Sequence, residues 1–77
     1  MLAEALEHLV RGIVDNPDDV EITERSNRRG KLFEIHVNPS DLGRVIGRRG
    51  RTAKALRSVM TALSTEGPLR VDVIESD

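Results

Sequence analysis

The chain has 77 residues, enough for one small domain and too few to enclose a deep catalytic cavity. It has no cysteine, which excludes a disulfide framework and a cysteine-based metal site, and no stretch approaches the roughly 20 apolar residues of a membrane span. The net charge of −1 hides an asymmetry: residues 1–24 hold seven acids (Glu4, Glu7, Asp15, Asp18, Asp19, Glu21, Glu24) against Arg11, whereas residues 42–65 hold six bases (Arg44, Arg48, Arg49, Arg51, Lys54, Arg57) and no acid, an imbalance suited to a local anion site.

Residues 2–14 read as an amphipathic helix. Leu2, Leu6, Leu9, Val10 and Ile13 recur at helical spacing, with Glu4, Glu7, His8 and Arg11 on the other face. The acids near the start are unlike a secretory signal, and the expectation is a cytoplasmic protein. Asp15-Asn16-Pro17 ends the helix, because the residue before proline avoids helical angles. Residues 19–25 alternate as a strand, Ser26 to Gly30 form a turn-rich connection, and residues 31–37 form a second strand with Phe33, Ile35 and Val37 on one side. The short connection makes the two strands antiparallel. Asn38-Pro39-Ser40-Asp41 is a helix start, with a capping residue, a proline in the first turn and an acid near the positive helix end.

The next helix is short. Leu42, Val45 and Ile46 form its apolar stripe and Gly47 stops it. Gly47-Arg48-Arg49-Gly50 joins it to a second helix over residues 51–64, in which Ala53, Leu56, Met60 and Leu63 are assigned to the core. Gly67-Pro68 ends that helix, and residues 69–75 alternate as a third strand. The fold class is α+β in the order helix, strand, strand, helix, helix, strand, with a three-stranded sheet and helices on one face. The two-helix crossover argues for at least one parallel strand pair and leaves the strand order open.

The segment from Gly43 to Thr52 carries the chemistry. Glycine admits positive φ and close backbone approach. The loop opens into a helix N-terminus, which favours an anion, and Arg48 and Arg49 add forked donors matched to phosphate. A bare pair of glycines three apart is also common in plain tight joints between helices.

At these residues the chain resembles the KH family, whose signature is an aliphatic pair followed by Gly-x-x-Gly between two helices, here Val45-Ile46-Gly47-Arg48-Arg49-Gly50. The element order matches the type II arrangement, and the resemblance covers nearly all of residues 1–77 as one KH domain. It is similar above all to the small stand-alone bacterial KhpA group, in the opening helix and from Asp41 to Thr52. The resemblance implies a groove for about four unpaired nucleotides of RNA. The loop would grip the backbone, aided by Arg44, Arg51 and Lys54. Val45, Ile46, Thr52, Ala55 and Leu56 would form one aliphatic wall, and Arg70 to Val73 the other, with Arg70 and Val71 among the contacting residues. It further implies a bacterial RNA chaperone or post-transcriptional regulator, of a group linked to cell elongation and shape. It would act as a homodimer or paired with a larger KhpB-like KH protein. Phe33 is the one aromatic residue, so base stacking of the kind used by RRM and many OB-folds has no rings to draw on, and modest affinity with low specificity is expected.

Other readings have less support. Gly43, Gly47 and Gly50 do not fit Gly-x-Gly-x-x-Gly, because Val45 sits where glycine is needed, and no Gly-Lys-Ser/Thr follows. His8 and His36 have no reason to pair, and Asp18-Asp19 reads as solvated charge. No enzyme activity, cofactor, metal, membrane contact or small-molecule substrate is expected. A protein-interaction role is the second class: Ala55, Val59 and Ala62 form a stripe beside the core face of the second long helix, suited to packing against another copy or a homologous helix.

Overall fold

The computed structural model describes residues 2–65 and 67–75. Helix α1 spans Leu2–Arg11, strand β1 Glu21–Asn27, strand β2 Gly30–His36, helix α2 Leu42–Ile46, helix α3 Arg51–Leu63 and strand β3 Leu69–Val73. Short 3₁₀ turns at Pro17–Asp19, Pro39–Asp41 and Arg48–Gly50 join them. The sheet order is β1-β2-β3, with β1 antiparallel and β3 parallel to β2. This resolves the strand order that the sequence left open and supplies the expected parallel pair.

Helix α1 ends at Arg11, before the end of the apolar pattern that reaches residue 14. Gly12 is a poor helix residue. The N–H groups of Asp15 and Asn16 then turn away from the helix toward the carboxylate of Asp41. Strand β1 starts later than expected because the 3₁₀ turn takes Pro17–Asp19, with the Val20 N–H donating to the Pro17 carbonyl. Pairing then continues to Asn27 opposite Gly30, which leaves only Arg28 and Arg29 at the hairpin tip. The Asn27 side chain accepts from the Arg29 N–H at 2.8 Å and holds the tip.

The core lies on one face of the sheet. Phe33 and Ile35 of β2 and Val71 of β3 are buried there with Leu6 and Val10 of α1, Val45 of α2 and Leu56 and Met60 of α3. Leu6 and Val10 stand four apart, as do Leu56 and Met60, so each helix presents one stripe. The paired positions Phe33 with Val71 and Leu32 with Arg70 alternate across the parallel ladder. Alternation therefore turns Arg70 and Asp72 to the face away from the helices, alongside the Arg25–Glu34 pair. Leu63, expected in the core, is 51% exposed. It lies in the last turn of α3, past Met60, the last buried position of that helix.

Candidate nucleic-acid interface

Two hydrogen-bonded devices position α2. The Asn38 side chain accepts from the Ser40 N–H at 2.9 Å, so the expected capping residue does cap the turn that leads into α2. Asp41 has a different role from the one read for it. It makes no side-chain cap and is buried. Its Oδ1 accepts from the Asp15 N–H, and its Oδ2 from the Asn16 N–H and the Asn16 side-chain amide, at 3.0–3.1 Å. Burial pushes this carboxyl up, but the Asn16 side chain, the two backbone donors and the Arg44 charge outweigh it and hold the group below the ordinary aspartate value. The carboxylate thus fastens the connection after α1 to the base of α2.

Helix α2 runs into Gly47, whose N–H donates to the Gly43 carbonyl at 2.9 Å. Gly47 has φ 78° and ψ 169°, a region essentially reserved for glycine. A Cβ there would collide with Thr52, coming within 2.6 Å of its backbone nitrogen. The absence of that atom lets the first turn of α3 close against the end of α2. Arg48 keeps helical angles, and Arg49 follows in the left-handed region at φ 58°, ψ 25°. The Gly50 N–H donates to the Gly47 carbonyl at 3.1 Å and closes the turn. Gly50 is also left-handed, and no side chain caps the start of α3.

The charge around this loop is largely uncompensated. Arg48, Arg49, Arg51, Lys54 and Arg57 are exposed, and among the described residues none forms an ion pair. Arg44 is different: its guanidinium meets Asp15 at 3.0 Å. The acidic first part of the chain therefore folds back onto the basic segment at this one point. The expected walls sort by depth. Ile46 and Thr52 are half-buried beside the loop and Ala55 is exposed. Val45, Leu56 and Val71 lie in the core. Arg70 lines a cavity with Arg57 and the β1–β2 hairpin. Val59 is 44% exposed, and with Ala55, Ala62 and the unforeseen Leu63 it leaves an open apolar strip on α3. Among the described residues no group of three or more His, Cys, Asp or Glu could hold a metal ion, and no helix is long and apolar enough to cross a membrane.

A family model described as the KH domain of KhpA/KhpB matches residues 3–74. The chain belongs to the KhpA/KhpB KH-domain family. It is 60% identical over 77 residues to the RNA-binding protein KhpA of Streptomyces coelicolor, which covers 100% of this chain and 96% of that relative. Identity to the RNA-binding protein KhpA of Mycobacterium tuberculosis is 54% over 77 residues, 100% of this chain and 95% of the relative. The RNA-binding protein KhpA of Halalkalibacterium halodurans is 46% identical over 72 residues, 91% of this chain and 95% of the relative. No solved structure matches the chain significantly. As a KhpA/KhpB KH domain the molecule has the expected helix–strand–strand–helix–helix–strand order, and its Gly-x-x-Gly segment is the joint between α2 and α3.

Proposed function

We propose that this KH domain binds single-stranded RNA and grips the sugar–phosphate backbone with Gly47-Arg48-Arg49-Gly50. The observation that carries the reading is the loop itself. Its tight turn opens into the N-terminus of α3 and carries two exposed arginines that no acid neutralises among the described residues. Ile46, Thr52 and Ala55 border the loop as a small aliphatic surface that accommodates bases without rings. Backbone contacts dominate such an interface, so binding is of modest affinity and low sequence specificity. That suits an RNA chaperone or post-transcriptional regulator.

The test is the double variant Arg48→Asp/Arg49→Asp, titrated with a labelled single-stranded RNA at several salt concentrations. Two lost phosphate contacts make the slope of log Kobs against log salt shallower by roughly 1.4. Unchanged affinity and slope in a folded variant would sink the reading.

A second role is favoured by one observation, the exposed apolar strip of Ala55, Val59, Ala62 and Leu63 on α3. This strip fits a homologous helix, from a second copy or from a larger KH-containing partner. Association through it would join two weak RNA sites and raise their combined affinity.

A further inference from the structure

The cations not used by the loop gather where α3 passes the β1–β2 hairpin. Arg29 at the hairpin tip, Lys31 on β2, Arg57 on α3 and Arg70 on β3 line an open cavity of about 330 Å³, and no acid is among its described lining residues. The backbone holds this corner together. Gly30 has φ 125°, and a Cβ there would run into the Pro68 carbonyl. The Lys31 N–H donates to that same carbonyl at 3.1 Å. The hairpin and the entry to β3 are thereby locked side by side, with Leu32 opposite Arg70.

Arg29 and Arg57 are exposed and form no ion pair among the described residues. The nearest acid to Arg70 is Asp72 at 3.6 Å, a long and solvent-exposed pair of the kind that contributes little. Arg57 also lines a second open cavity, along the outer side of α3, with Lys54, Ser58 and Thr61. Lys54 lies in the first turn after the loop. From Arg51 to Arg57 the helix advances about 9 Å. Loop, Lys54, Arg57 and hairpin therefore make one line of positive charge down the outside of α3, distinct from the aliphatic surface of Ile46, Thr52 and Ala55.

We propose that the cavity flanked by Arg29 and Arg57 is a second phosphate subsite, which holds the backbone of the same RNA strand beyond the nucleotides gripped by the loop. The proposal rests on the RNA-binding reading. The lining has no aromatic ring on which a base could stack, and its arginines suit phosphate, so the subsite contributes charge and direction.

The test uses the variant Arg29→Gln/Arg57→Gln, at two exposed positions outside the core, with two oligouridylates, one of about 4 and one of about 12 nucleotides. Circular dichroism checks the fold. The long oligonucleotide is expected to bind the variant more weakly, with a salt slope shallower by roughly 1.4 than for the wild-type chain, while the short one binds both proteins equally. Equal weakening of both oligonucleotides, or of neither, overturns the second subsite and leaves the loop reading intact. Failure of the wild-type chain to bind either one removes the RNA reading and this extension with it. Inorganic phosphate provides the control for a small-anion site. If it shifts the Arg57 amide resonance to saturation while the long oligonucleotide binds wild type and variant alike, the cavity takes free anions and not the strand.

Discussion

The two glycines that bracket the arginines are chemically identical and structurally unequal, and their replacement by alanine separates the two roles. At position 47 the backbone sits at φ 78°, ψ 169°, where a side chain costs about 1–3 kcal/mol in strain. The added Cβ would also lie 2.6 Å from the Thr52 nitrogen and 2.7 Å from the Thr52 Cβ. Relieving such an overlap by shifting the backbone costs about another 1–3 kcal/mol. Gly47→Ala is therefore expected to destabilise by about 4 kcal/mol, a large part of the stability of a domain this small. At position 50 the backbone is left-handed, at φ 75°, ψ 14°, and a Cβ would meet nothing within 4 Å. The left-handed strain of about 1–2 kcal/mol is offset by about 0.4–1 kcal/mol of lost freedom in the unfolded chain. The difference of about 3 kcal/mol corresponds to about 3 M in urea midpoint at an m-value near 1 kcal/mol/M. The assay is urea unfolding followed by far-ultraviolet circular dichroism. Adding Thr52→Ala to Gly47→Ala should recover little, because the backbone nitrogen and Cβ of residue 52 remain. Equal loss at the two positions, or near-wild-type stability of Gly47→Ala, would refute the argument.

Three further outcomes are expected. Asp41→Asn puts an amide donor against three existing donors, so it lowers the urea midpoint at neutral pH. The Asp41 carboxyl sits below its ordinary value when folded. Its contribution is therefore present above the unfolded aspartate pKa of about 3.9 and is lost as pH falls through the folded one. The gap between wild type and variant should close in acid, and a gap independent of pH would contradict the assignment. Phe33→Ala removes the largest fully buried side chain and should cost about 3–5 kcal/mol, leaving little cooperative unfolding in a calorimetric scan. Val59→Glu/Leu63→Glu places charge on the exposed strip of α3 and should reduce a wild-type dimer to monomer in sedimentation equilibrium without loss of helicity. A wild-type chain that stays monomeric at the highest attainable concentration refutes self-association.

Much of this architecture was legible because its signals are local. The i, i+4 pairs Leu6–Val10 and Leu56–Met60 mark the helix faces, alternation around Phe33 and Ile35 marks the central strand, and glycines at 47 and 50 mark the joint between α2 and α3. What escaped depends on distance along the chain. Asp41 reads locally as an acid at a helix start, and its donors come from residues 25 and 26 positions away. Val45 and Ile46 are adjacent apolar residues in a helix of five, too short for periodicity to tell the buried one from the half-buried one. Leu63 fits the core stripe of α3, and nothing in its neighbours signals that burial stops at Met60. Nothing local to residues 69–75 says which strand β3 joins, and only the ladder reveals that Arg70 stands opposite Leu32, near the hairpin.

The parallel ladder between β2 and β3 has a consequence in time. Strands β1 and β2 pair across a two-residue tip, but β3 cannot join until α2, the loop and α3 have all folded back over the sheet. Local pairings of the first kind form early and distant ones late. The β2–β3 ladder therefore closes at a late folding step, and a substitution that weakens it, such as Val71→Ala, should speed unfolding while leaving the refolding rate nearly unchanged. A ligand that bound only the closed crossover would act as a latch on it: it would prolong the life of the folded chain and do nothing to hasten its birth.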